Sequence, residues 1–236
     1  MNGIKFNLSG NMACFRKPET NSSIYQTFPY IHKVALLGLL GAVIGLKGYE
    51  QTKENEFPEF YRKLKDLKIS IMPPKKNVVQ HLITFTNTTG LASYEQGGTL
   101  IVKENVIANP EWTIFILEDN SEEYKKLKEY LLNKKTEFLP YLGRNDYEAI
   151  ITDVKEVSFE NINESEIIYD SLVIAEIEDC IVDSKNKRNK FLSYQTLPVG
   201  LNEIFQYNYE SFLLSNEYLP LKEQSYKCND FCIQFI

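Results

Sequence analysis

Thirteen consecutive residues without a charge, Val34 to Leu46 (VALLGLLGAVIGL), constrain this chain more than any other stretch. As a helix they would be about 20 Å long, too short for the roughly 30 Å hydrocarbon core of a bilayer. The segment therefore reads as a buried helix. Gly38, Gly41 and Gly45 fall on one helical face, each costing about 1 kcal/mol of propensity against alanine, so that face should receive a closely packed neighbour. Gly48 is placed as the left-handed residue that ends the helix. No hydroxyl follows these glycines in the spacing a phosphate-cradling loop needs, which excludes a P-loop.

A polar arm leads into this helix and carries Phe15, Arg16, Lys17, Pro18, Tyr25, Phe28 and Pro29. Upstream, Ile4 to Leu8 alternates as a first strand, with Gly10 and Asn11 as its turn. Downstream, Phe57 to Leu67 places Phe57, Phe60, Tyr61, Leu64 and Leu67 on one face of a second helix, with Pro58 in its first turn. Lys68 to Met72 reads as a short strand stopped by Pro73 and Pro74. Two strand-like runs follow, Val78 to Phe85 and Thr99 to Val102, around a tip rich in Asn87, Thr88, Thr89, Gly90, Gly97 and Gly98. They predict a hairpin excursion over 75–102 that opens on Lys75 and Lys76 and carries His81. Trp112 to Leu117 suits a central strand. A helix capped by Asp119, Asn120 or Ser121 runs from there to Leu132, and Ala149 to Val157 is again strand-like.

The order over residues 1–160 is that of an α+β, ferredoxin-like β-α-β-β-α-β domain. Residues 161–236 form a smaller β-rich extension: a strand pair within Ile167 to Ile177, a charged loop from Asp183 to Lys190, and a last strand from Phe231 to Ile236.

With 236 residues, 43% of them hydrophobic, the chain has ample material for a packed core. Nothing at the N-terminus reads as a secretion signal, so the expected location is the cytoplasm. Cys14 and Cys180 are isolated, and Cys228 and Cys232 stand four apart with only His32 and His81 elsewhere in the chain. That is neither a zinc pattern nor a disulfide framework, and no cofactor or metal is expected. The net charge of −6 is unevenly placed. Residues 1–110 hold 13 Lys and Arg against 8 Asp and Glu, whereas residues 111–236 hold 13 against 24. This asymmetry is compatible with a polyanion on the first half, and equally with an ordinary solvated surface.

Three patches carry a family resemblance. Ala13-Cys14-Phe15-Arg16-Lys17-Pro18, followed by Tyr25, Phe28-Pro29 and Leu37 to Leu46, resembles the N-terminal signature of the CRISPR-associated "Cas five" proteins of the RAMP superfamily, closest to the type I-B branch. Leu142-Gly143-Arg144-Asn145-Asp146-Tyr147-Glu148-Ala149 and Leu197-Pro198-Val199-Gly200-Leu201 are similar to that family as well. The resemblance implies a subunit of the RNA-guided surveillance complex Cascade, active in antiviral defence. Its hairpin would be a protruding thumb. It would hold the 5′ handle of the CRISPR RNA, cap the backbone filament, touch the backbone and large subunits, and meet target DNA only through the complex.

Single-stranded RNA is held by cations on phosphates and by aromatic or polar groups on splayed bases. Arg16 and Lys17 are the first candidates for phosphates, and Tyr25 for stacking. Phe28 and Tyr30 serve either as stacking faces or as core. Lys33, at the helix start, can take a further phosphate. Lys75, Lys76, His81 and Arg144 rank second, and for the two lysines a merely solvated pair is the competing reading.

Type I-C relatives cut repeat RNA without a metal, using tyrosine, lysine and histidine with the lysine immediately before the histidine. Here Gln80 precedes His81 and Lys33 follows His32, so the expectation is a non-catalytic RNA-binding subunit. The alternatives are a metal-independent endoribonuclease of the same superfamily and a protein-interaction module that touches no RNA.

Overall fold

The computed structural model describes residues 1–18, 23–53, 55–87, 100–180 and 190–236. Its centre is a four-stranded sheet in which every neighbouring pair is antiparallel, built from β1 (Asn2–Ser9), β3 (Ile69–Met72), β6 (Glu111–Leu117) and β7 (Ile150–Ser158) in the order β3-β6-β1-β7. The short β2 (Met12–Ala13) leads from β1 into the arm. Helices α1 (Lys33–Ile44) and α2 (Glu59–Leu64) lie between β1 and β3, and α3 (Glu122–Leu132) lies between β6 and β7. The alternation of β1 buries Ile4, Phe6 and Leu8 completely, in one cluster with Leu36, Leu37, Leu40 and Val43 of α1 and Leu127 of α3. Each such side chain contributes roughly 1.5–3 kcal/mol by leaving water.

The glycine face of α1 receives the neighbour its sequence predicts. A Cβ on Gly41 would stand 2.5 Å from Cβ of Phe60, and one on Gly38 would stand 3.7 Å from the same ring. Gly45 plays a different part. It has φ +82° and ends the helix, with the Leu46 amide donating to the Gly41 carbonyl at 2.8 Å. Gly48, expected in that role, is extended instead. The second helix is shorter than its apolar spacing implies. Pro58 is its N-cap, and Phe57 lies before it, packed on Tyr61 and Phe205.

Between β3 and β6 the chain makes the expected hairpin, β4 (Gln80–Asn87) against β5 (Leu100–Ala108). Its second strand runs well beyond Val102, because the alternation of Val102, Glu104 and Val106 continues to the turn at Asn109. The tip residues Thr88, Thr89, Gly90, Gly97, Gly98 and Thr99 lie outside the described residues.

The C-terminal part holds short strands β8 (Glu160–Asn161), β9 (Glu166–Ile167) and β10 (Val173–Ile174), then the long pair β11 (Leu192–Leu201) and β12 (Tyr207–Ser215). It finishes with β13 (Leu219–Pro220), β14 (Ser225–Cys228) and β15 (Phe231–Gln234). The strand pair expected within Ile167 to Ile177 does not form: β9 pairs with β13 and β10 with β12. Of the charged loop, only Lys190 is described, and it reaches Glu217 at 3.6 Å. Leu197, Leu201, Phe212 and Leu214 belong to the same buried cluster as β1 and α1. Ile236 exchanges backbone hydrogen bonds with Ile69, which ties the end of the chain to the outer edge of β3. Among the described residues no helix is long and apolar enough to cross a membrane.

Candidate nucleic-acid interface

The arm folds back on itself. Arg16 and Thr27 form an antiparallel bridge, the Lys17 amide donates to the Gln26 carbonyl at 2.8 Å, and the Phe28 amide donates to the Phe15 carbonyl at 2.9 Å. It is gripped on both sides. Tyr25 lies along the outer edge of β5, where its amide donates to Lys103 and its carbonyl accepts from Asn105, both at 2.9 Å. On the other side the Cys14 amide donates to the Leu142 carbonyl at 3.0 Å. Gly143, at φ +88°, comes so near that a Cβ there would sit 1.9 Å from the Cys14 oxygen. Only glycine fits that approach.

The side chains of the arm divide by exposure. Phe15 and Phe28 are buried, edge-on to His32 at 6.0 and 5.2 Å between ring centroids. Tyr30 is buried as well, its hydroxyl donating to Ser193. Phe28 and Tyr30 are therefore core residues with no open face for a base. Arg16 is exposed, and its guanidinium lies 3.5 Å above the centroid of the half-buried Tyr25, a cation–π stack. Lys17 lies over the Phe28 ring at 5.2 Å. The arm thus presents two cations on aromatic supports.

Beneath it lies a buried carboxylate that the sequence reading overlooked. Glu104 is 3% exposed, and its Oε1 accepts from Arg144 Nη1 at 2.8 Å and from the Tyr147 hydroxyl at 2.6 Å. Arg144 also donates to Asp146 at 2.9 Å and lies over the Phe85 ring at 4.5 Å. It is thereby a brace between hairpin and body, not a free phosphate ligand. Burial, and then the charge of Glu104, raise the Cys14 thiol to about 11, so no thiolate nucleophile forms here near neutral pH. The signal for Glu104 was present in the inward alternation of Val102, Glu104 and Val106.

The remaining candidates do not join the arm as one patch. Lys33 is half-buried beside Asp66 and Lys68, and burial holds its ammonium below the ordinary lysine range while Asp66 acts in the opposite direction. Lys75 is committed to Asp170 at 3.2 Å. Lys76 and His81 are exposed and line a cleft of ≈ 290 Å³ with Tyr30, Pro74 and Trp112, where the arm ends and the hairpin begins. His32 is the N-cap of α1, its Nδ1 accepting from the Ala35 amide, and burial pushes it down to about 3. It stays neutral near pH 7. Among the described residues no cluster of His, Cys, Asp and Glu suits a metal ion.

A family model described as "CRISPR-associated protein (Cas_Cas5)" matches residues 3–210. The fold is similar to a solved structure described as "CRISPR RNA-guided surveillance complex", with TM-score 0.57 and 15% identity over 92% of this chain and 91% of that one. It is also similar to a CRISPR protein from Archaeoglobus fulgidus, with TM-score 0.52 and 12% identity over 99% of this chain and 98% of the other. No curated protein matches the sequence.

Proposed function

The chain belongs to the CRISPR-associated Cas five family, and from that premise we propose that it is the subunit of a type I-B effector complex, Cascade, that grips the 5′ handle of the CRISPR RNA and caps one end of the backbone filament. The observation that carries this reading is the clasped arm, with exposed Arg16 stacked on Tyr25 at the foot of a β-hairpin. A cation on a rigid aromatic support loses little freedom when it meets a phosphate, and the backbone hydrogen bonds that fix the arm are already made without a ligand. The hairpin serves as the thumb. The backbone and large subunits are its protein neighbours, target DNA reaches it only through the complex, and the work is done in the cytoplasm.

The domain is read as ferredoxin-like, supported by the strand order β3-β6-β1-β7 with α1 and α3 as its crossovers. The subunit is read as non-catalytic. Metal-free RNA cleavage needs a group that titrates near neutrality within reach of the scissile phosphate. His32 is buried, neutral and occupied as a helix cap. His81 is exposed on β4 with Gln80, not lysine, before it.

The test is to purify the tagged chain from its own host, sequence the RNA that accompanies it and identify the accompanying proteins. CRISPR RNAs sharing one repeat-derived 5′ end, together with a large subunit and several backbone copies, are the expected result. Absence of RNA, or RNA without a common end, would sink the handle-binding role. Repeat RNA incubated with the pure chain should stay intact.

A further inference from the structure

The ladder that closes the arm is irregular at the rung beside Arg16. In an antiparallel pair, two residues that face each other across a hydrogen-bonded rung exchange both of their N–H···O bonds. At the rung of Phe15 and Phe28 one bond is direct, from the Phe28 amide to the Phe15 carbonyl at 2.9 Å. The other runs through a side chain. The Phe15 amide donates to Oγ1 of Thr27 at 2.9 Å, and that hydroxyl donates in turn to the Phe28 carbonyl, also at 2.9 Å. Thr27 is 4% exposed, and Phe15 and Phe28 are buried with it, so water is no substitute for the hydroxyl.

This splice stands where it can decide the place of Arg16. The two halves of the Arg16–Tyr25 stack are anchored to different elements. Tyr25 is hydrogen-bonded along β5 at Lys103 and Asn105, and its neighbour Gln26 accepts from Asn105 Nδ2 at 2.8 Å. The backbone on either side of Arg16 is held by the other limb of the arm, through Thr27 Oγ1 and Phe28 before it and through the Gln26 carbonyl after it.

We infer that Thr27 is a positioning residue for RNA: its buried hydroxyl fixes the limb that carries Arg16 against the limb that carries Tyr25, and so sets where the guanidinium meets a phosphate. The inference rests on the RNA-binding reading above. Thr27 lies beneath the surface and acts through Arg16, without contact with the RNA. Valine is close to threonine in shape but neither accepts nor donates. Thr27→Val therefore leaves the Phe15 amide and the Phe28 carbonyl without their link, and the two limbs loosen where the stack is built. A cation that must be ordered at the moment of binding holds its phosphate less tightly than one fixed beforehand.

The experiment measures binding of the full chain to a fluorescein-labelled all-uridine RNA by anisotropy over a series of salt concentrations. Five proteins are compared: the native chain, Thr27→Val, Thr27→Ser, Arg16→Ala, and the double variant Thr27→Val with Arg16→Ala. Thr27→Val should weaken binding by about threefold to tenfold, the worth of one hydrogen bond, and flatten the salt dependence as Arg16→Ala does. Thr27→Ser keeps the hydroxyl and should restore most of the affinity. With Arg16 already alanine, Thr27→Val should cost less than it does in the native chain, because the two residues act as a unit. The same cost in both backgrounds, or Thr27→Ser as weak as Thr27→Val, would make Thr27 a packing residue with no hold on Arg16 and overturns the inference. So does a Thr27→Val chain that lacks the native far-UV circular dichroism, since the hydroxyl would then serve the fold as a whole. Native affinity in Thr27→Val, with Arg16→Ala weakened, overturns the positioning role and leaves the RNA-binding reading standing. If the native chain does not bind the RNA, both fall.

Discussion

Arg144 reaches across the foot of the hairpin to Glu104, with Nη1 2.8 Å from Oε1, and this pair joins the hairpin to the body of the domain. The two residues stand 40 positions apart, one on β5 and one in the loop after α3. Glu104 is almost fully buried and depends on Arg144 and Tyr147 to replace the water it has lost. A carboxylate left with one of its two partners is costly, since an unsatisfied buried charge loses its full solvation. Arg144→Ala should therefore lower unfolding stability by about 1–3 kcal/mol, read from urea titration. Glu104→Gln should cost less, because the neutral amide still accepts from Tyr147. The same stability for Arg144→Ala and the native chain would show that the brace is dispensable.

The arm should behave in the opposite manner. Arg16 is exposed and Lys17 half-buried, and each lies over a ring of the arm itself. Arg16→Ala should leave stability within about 0.5 kcal/mol of native. Arg16→Ala and Lys17→Ala should each weaken single-stranded RNA binding and reduce the slope of log K against log salt by about 0.7 for every phosphate no longer neutralised. Fluorescence anisotropy over a series of salt concentrations checks both. A lower affinity with an unchanged slope would mean that the arm touches bases or protein, not phosphate.

Gly38 and Gly41, three residues apart on one helix, should respond with opposite signs to the same substitution. Alanine at Gly38 meets nothing closer than 3.7 Å and gains helix propensity, so Gly38→Ala should be neutral or stabilising by up to about 1 kcal/mol. Alanine at Gly41 meets Phe60 Cβ at 2.5 Å, where backbone and ring must shift. Gly41→Ala should cost about 1–3 kcal/mol. Thermal melts of the two variants side by side decide it. A stabilised Gly41→Ala would show that α2 moves away easily.

What was legible in the sequence follows from how local each signal is. Strands β1 and β6 and helix α3 declare themselves through alternation, an apolar run and a cap, all within a short span of chain. The long pair β11 and β12 did not, because Pro198 and Gly200 punctuate β11 like a turn. The structure absorbs them in a register shift between Pro198 and Gly200. The helix end falls at Gly45 and not at Gly48 because the two are equally good left-handed residues by composition, and only the hydrogen bond from Leu46 to Gly41 selects the first. In the arm, the polar setting of Arg16 and Lys17 was readable from the residues around them. The burial of Phe28 and the pairing of Lys75 and Arg144 depend on partners far along the chain, or on a carboxylate hidden in a strand, and no local pattern carries that information.

His32 gives a prediction about acid. Burial lowers its pKa to about 3 from an ordinary 6.5, with the neutral imidazole capping α1. The unfolded chain binds a proton on this group below about pH 6.5 and the folded chain does not until far lower. The contribution of His32 is therefore fully present above the unfolded pKa and is lost as pH falls through the window from 6.5 toward 3. Within that window each pH unit removes up to about 1.4 kcal/mol of stability. Asparagine keeps a cap acceptor for the Ala35 amide and does not titrate, so His32→Asn should be less stable than native near pH 7, where it loses the ring packed among Phe15, Phe28 and Tyr207. It should also show a shallower decline between about pH 6.5 and 4.5. Urea titrations across that range give both slopes directly. Parallel slopes for the two proteins would mean that the acid sensitivity belongs to carboxylates elsewhere, and that the His32 ring admits a proton without leaving its place against the start of α1.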